Sequence, residues 1–320
     1  MYLNAQTWIN ENKYQEAYAY AVKVIADGHY PLASDYREIF LADNNTCKEI
    51  IWPLVQDGLR AQSSAGTNFY VKAFVNGPMD ELYKTGVGSR GWGNVRAKVS
   101  LVDAFDADDV MFDGNDTWGN NKKDKRAQFM TALPNQVKDT WDVNMDMTST
   151  FTCGYGYIKW RNVTKEDELC PSGDAYTSID FPLFRTADAY LMAAEAILRG
   201  ANGTQSEALG YVNEVRTRAY MSGKYAKNGV RSDVSGEITA NELNLDFLLV
   251  ERQKELASEL TRRTDLIRFG KYTKGNNWDW KNGVRLGADV DDKYNLFPIP
   301  ESELTNNPTL VQNDGYKVIK

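Results

Sequence analysis

The chain has 320 residues, enough for one large domain or two ordinary ones. Apolar residues make up 42% and charged residues 25%, a globular composition that argues against intrinsic disorder. The 37 basic and 44 acidic side chains leave a net charge of −7, which offers no field to a polyanion and sets nucleic acid aside as a partner. No stretch approaches the roughly 20 uncharged apolar residues of a membrane-spanning helix, and the opening MYLNAQTWINENK does not read as a signal peptide.

In chain order, Trp8, Ala17, Ala21 and Val24 fall at helical spacing, broken at ENKY (11–14) and ended by Asp27-Gly28. That predicts an antiparallel helix pair of tetratricopeptide size. Residues 66–180 hold many glycines, asparagines and aspartates and no sustained period. They also hold Phe69, Tyr70, Phe74, Tyr83, Trp92, Trp118, Trp141, Tyr155, Tyr157 and Trp160. Disordered segments are poor in aromatics, so this stretch reads as an ordered, irregular lobe with a few short strands. Ala187, Tyr190, Leu191, Ala194, Ile197 and Leu198 then make a helical stripe ended by Gly200. Thr204-Gln-Ser-Glu207 reads as a capping box, followed by Ala208, Val212, Val215 and Ala219 at helical spacing. Thr239-Ala-Asn-Glu242 reads as a second box, opening a long helix with Leu245, Leu249, Leu256 and Leu260 on one side.

The expected fold is therefore mainly α: tetratricopeptide-like helix pairs with a large loop-rich lobe. By composition the chain divides into 1–65, a helical hairpin and following segment; 66–180, the aromatic-rich lobe; and 181–320, a helical scaffold packed with 1–65 as one domain. Some 140 residues separate the helix pairs, which rules out a regular solenoid.

The motifs that suggest chemistry have bland readings. His29 is the only histidine, which excludes a His–His metal site or a histidine relay. Cys47, Cys153 and Cys170 lack CxxC spacing, and pairing of Cys153 with Cys170 stays open. Gly86-Val-Gly88-Ser-Arg-Gly91 matches a dinucleotide fingerprint, but VNGPMDELYKT before it is no strand, so a glycine loop is expected. The acidic run 103–116 misses the EF-hand spacing. Asn44, Asn115, Asn162 and Asn202 head N-x-[ST] sequons. Glu251, Glu255 and Glu259 stand four apart on one face; like charges repel at that spacing, so nearby arginines should form an ion-pair network that locks helices together.

Three segments taken together, FRTADAYLMAAEAILRGANG…EALGYVNEVRTRA (184–219), VERQKELASELTRRTDLIRFGKY (250–272) and YNLFPIPESELTNNPTLVQNDGY (294–316), resemble the C-terminal signatures of the SusD/RagB family. Residues 17–54, ending in EIIW-Pro-Leu, resemble that family's earlier segment. The resemblance implies a glycan-binding outer-membrane lipoprotein facing the cell exterior that binds and does not cleave; no cofactor and no metal ligand are expected, and calcium at the acidic run stays open. It implies a TonB-dependent transporter of the SusC type as partner. Family chains carry further helices, a signal peptide and a lipidated cysteine ahead of the point matched by Met1, so the resemblance implies a chain lacking its N-terminal part, anchored through a lipid that this chain does not contain.

A sugar ring lays its C–H face on an aromatic ring and needs a few fixed polar groups at the rim. Trp92 and Trp118 lie in glycine- and asparagine-rich loops with little local core to join, and Tyr83 and Arg90 flank the first of these loops. With Tyr70 they form the expected ligand-binding set. Trp8, Trp52 and Trp160 sit beside apolar segments and are expected in the core. The alternative function is a tetratricopeptide-like protein-interaction scaffold with no sugar site of its own.

Overall fold

A computed structural model describes residues 1–60, 62, 64, 66–110, 122–130, 154–221, 235–275 and 277–317. Trp118, Trp141, Cys153 and the end of the acidic run lie outside the described residues. Helices α1 (Tyr2–Asn10) and α2 (Tyr14–Asp27) form the predicted pair, and Gly28, at φ +72°, takes the left-handed cap that ends α2. Strand β1 (Ile50–Leu54) follows, then helices α3 (Thr67–Ala73), α4 (Gly77–Tyr83), α5 (Val99–Val102) and α6 (Ala107–Val110). Strands β2 (Phe129–Met130) and β3 (Gly156–Tyr157) pair with each other, and β4 (Phe181–Arg185) returns to pair antiparallel with β1. Helices α7 (Thr186–Leu198), α8 (Gln205–Met221) and α9 (Leu245–Leu256) complete the scaffold, with α10 (Arg262–Arg268) and α11 (Glu301–Asn306) beyond it.

Two compact units result, 1–260 and 261–320. Within the first unit residues 33–50 share a core with the irregular lobe, while helices α1, α2 and α7 to α9 pack in clusters of their own; 261–320 clusters by itself. In the first unit α7 is the central rod. The sequence stripe describes only one of its faces: Ala187, Leu191, Ala194 and Ile197 pack against α8 and α9, while Ala189, Met192, Ala193 and Ala196 pack against α1 and α2. A helix apolar all round must be covered all round, and its alanines let both neighbours approach closely. The Thr204–Glu207 box forms as read, with the Glu207 N–H donating to Thr204 Oγ1 (3.1 Å) and the Thr204 N–H to Glu207 Oε2 (2.7 Å). The Thr239–Glu242 contact also forms, but it closes a turn. The cap of α9 is Asn244, whose side chain accepts from the Phe247 N–H (2.9 Å), and the helix stops at Leu256, leaving Leu260 outside it and exposed.

Glu251 and Glu255 of α9 and Glu259 just beyond it are buried, and arginines from distant stretches compensate them. Arg185 donates to Glu49 (2.9 Å), Glu255 (2.6 Å) and Glu259 (2.6 Å); Arg126 donates to Asp124 (2.8 Å), Glu251 (2.6 Å) and Glu255 (3.1 Å). Arg216 pairs with Glu251, Arg218 with Glu49 and Glu255, and Lys159 with Glu259. Five acids and five bases thus share one buried set. Burial works against ionisation of Glu255, yet Arg218, Arg185 and Arg126 together hold it well below the usual carboxylate range.

Several motifs become structural. Two sequon asparagines are buried: Asn44 bridges Ile39 O and Asp180 O, and Asn162 donates to Gly86 O and Gly173 O. Asp109 of the acidic run accepts the backbone N–H groups of Lys123 (2.7 Å) and Asp124 (3.0 Å). Cys47 and Cys170 are free thiols.

Candidate functional site

The irregular lobe is built on a ladder of rings that runs from the core to the surface. Phe40 meets Trp160 edge-on at 4.9 Å, and Trp160 stacks on Phe181 at 5.5 Å, all three deeply buried. Half-buried Tyr70 lies over Trp160 (5.3 Å) and Phe181 (5.7 Å). Phe69 stands edge-on to Tyr70 at 5.7 Å, and Trp92 lies 6.1 Å beyond Phe69. Phe69 and Trp92 are exposed, Trp92 by 43%.

Trp92 is held there by the backbone. The last carbonyls of α3 have no partner within the helix, and the segment after the glycine loop supplies one: Trp92 N–H donates to Lys72 O (2.8 Å), Val95 N–H to Ala73 O (2.9 Å) and Gly93 N–H to Val75 O (2.8 Å). The approach requires Gly91, where a Cβ would sit 2.4 Å from Val75 O. The loop itself is gathered by Asp80 of α4, which accepts from Thr85 Oγ1 and from the N–H groups of Val87 (3.1 Å) and Gly88 (3.0 Å). Its glycines serve this turn, as the missing strand before them implies.

The polar edge comes from Arg90 and Lys72. Arg90 Nε donates to Asp174 (3.0 Å), with both side chains exposed, and Lys72 Nζ donates to Ala175 O. Burial, and then the neighbouring Arg90, lowers the pKa of the Lys72 ammonium. Phe69 also borders a concavity of about 670 Å³, lined by Leu54, Gln56, Ser64, Gly66, Phe69, Tyr70, Phe181 and Leu260.

Of the sequence-predicted set, Tyr70 and Trp92 join this ladder through Phe69, and Arg90 is exposed on the loop that leads to Trp92. Tyr83 does not: it is 4% exposed, because α4 turns it into the core around Val75, Met79 and Val87. Trp118 lies outside the described residues. Trp160 is core and Trp8 packs on the α1–α2–α7 cluster, as expected, but Trp52 is 53% exposed. Ile51 is an extra residue between the Ile50–Arg185 and Trp52–Phe184 pairs, and Leu183 is a matching extra residue on β4. This bulge turns Trp52 outward where strict alternation would have kept it beside buried Ile50. Phe69, absent from the predicted set, is what connects platform and concavity; its place beside Tyr70 on a short helix was the only signal available.

The model of the SusD family matches residues 48–316. The chain belongs to the SusD family. Starch-binding protein SusD of Bacteroides thetaiotaomicron is 32% identical over 347 residues, an alignment that covers 99% of this chain and 58% of that protein. The chain therefore spans a little over half the length of that SusD relative. A SusD-like protein from Bacteroides fragilis superposes with a TM-score of 0.66 at 21% identity, covering 98% of this chain and 64% of that one. Surface glycan-binding protein A from Bacteroides thetaiotaomicron, solved in complex with laminarihexaose, gives 0.64 at 22%, covering 97% and 62%. At these identities the structures speak for the fold, a mainly helical scaffold with tetratricopeptide-like pairs shared across the SusD family.

Proposed function

We propose that the chain binds a glycan without cleaving it, laying a sugar ring on Trp92 and Phe69. The observation that carries this is the exposure of Trp92 in a loop whose backbone is fixed on both sides. A rigid open ring offers the C–H face of a pyranose a large contact at little entropic cost. Tyr70 backs the platform, and Arg90 with Asp174 supplies fixed donors and acceptors for hydroxyl groups at its edge. Two relatives, a starch-binding protein and a surface glycan-binding protein, support the ligand class. Family membership supports the rest of the reading: a place on the outer membrane facing the exterior, and delivery of the glycan to a TonB-dependent transporter of the SusC type.

Isothermal titration against a panel of soluble glycans tests the platform. At least one glycan should bind, and Trp92→Ala should weaken it by about 1–3 kcal/mol, the worth of a ring-stacking contact. Equal affinity in parent and variant removes Trp92 from the site.

A further inference from the structure

We infer that the concavity beside the platform takes an aromatic acyl ester carried by the glycan, an assignment that rests on the sugar-platform reading. Among the eight residues of its wall, Gln56, Ser64 and the hydroxyl of Tyr70 are the polar side-chain groups; the others are Leu54, Phe69, Phe181 and Leu260, with Gly66. A bare sugar entering it would lose water from several hydroxyl groups and find three side chains, one of them a single phenol oxygen, to replace that water. A flat apolar ring has no such loss. The floor is already a pair of rings, Tyr70 and Phe181, 5.7 Å apart and inclined by 31°, against which a third ring can lie. The volume of about 670 Å³ leaves room for an aromatic ring together with part of the sugar that carries it.

Two features fit the wall for an ester on this ring. The backbone N–H of Gln56 donates to Asp180 Oδ1 (2.8 Å), and its side chain lies over Gly66, where a Cβ would come within 2.8 Å of Oε1. The backbone bond fixes the chain at Gln56, just past the end of β1, and the side-chain amide lines the wall as a donor within the concavity. Leu260 sits in the left-handed backbone region at φ +64°, unusual for leucine, and its side chain is 74% exposed at the mouth. Phe69 belongs to both wall and platform, so a ring entering the concavity stays attached to a sugar lying on Trp92.

Methyl ferulate is the probe, titrated calorimetrically into the intact chain and into Leu54→Glu. Leu54 is exposed, so a carboxylate there changes the wall and spares the core, and unchanged melting confirms the fold. Methyl ferulate should bind the parent and bind the variant about tenfold more weakly. No binding by the parent up to the solubility limit, or equal binding by both, overturns the site. The glycan panel is a separate arm: methyl ferulate bound while no glycan binds overturns the assignment to a glycan ester, whereas glycans bound without methyl ferulate overturn the concavity alone and leave the platform standing.

Discussion

The charge set beneath α9 and the ring ladder of the lobe are both built by side chains from distant stretches of chain, but they meet solvent in opposite ways. The charge set is closed. Every acid in it has a cation within ion-pair reach, all are buried, and loss of a member that several others share strands charge where water cannot reach. The ladder is open at one end: its inner rings are sealed, Tyr70 is half-buried, and Phe69 and Trp92 face solvent. On the proposed sugar-platform reading, stability and recognition are separated in space, and substitutions should separate them too.

The largest effect is expected from Glu255→Gln, which leaves Arg126, Arg185 and Arg218 short of their common anion. A loss of about 3–5 kcal/mol in urea unfolding is expected, with the platform unaltered wherever the chain still folds. A loss below about 1 kcal/mol would mean that the set tolerates a missing member and that the contrast with the ladder is one of position only. Thr204→Ala, which removes the cap of α8, should cost about 1 kcal/mol by the same measurement. Trp92→Ala should cost about 0.5–1 kcal/mol, the ring contact with Phe69 and little more, while abolishing most of the glycan affinity.

Lys159 sharpens the comparison from inside the set. Burial pushes its ammonium from 10.5 down to about 8. Below pH 8 folded and unfolded chains both hold this proton, and the folded chain bears the cost of a buried charge. Between pH 8 and 10.5 the unfolded chain binds more protons, so the contribution of Lys159 to stability rises with pH. Glu259 keeps its two-point contact with Arg185 when the lysine is gone. Lys159→Met is thus expected to match or exceed the parent in stability at neutral pH, with its margin narrowing through that window. Urea midpoints at about pH 7 and about pH 10 measure this; a margin that widens with pH contradicts the burial argument.

Much of the scaffold was legible because helical periodicity and capping chemistry are local. The α2 stop at Gly28, the Thr204 box and the α7 stripe are each read from a few adjacent residues. What failed was non-local. The Thr239 box is a true contact, but Asn244 five residues later is the better cap, so the helix starts there. The acidic face of α9 called for arginines, and nothing in the sequence says that they come from positions 126, 185, 216 and 218. Trp52 and Tyr83 were exchanged between core and surface because a bulge and a short helix decide which way each ring points. The openness of Trp92 was readable from its glycine-rich surroundings, whereas its link to Tyr70 depends on Phe69 and on the loop crossing the end of α3.

The reach of the charge set along the chain has a consequence for how the first unit assembles. Its members run from Glu49 to Glu259, drawn from the strand pair, the lobe and two helices. Residues 185–259 can pair three bases with three acids among themselves, and Asp124 pairs with Arg126 locally. Glu49 has no such local partner: it meets Arg185 and Arg218 only when the segment before β1 docks on the later helices, so that docking step is where an unmatched carboxylate leaves water for the interior.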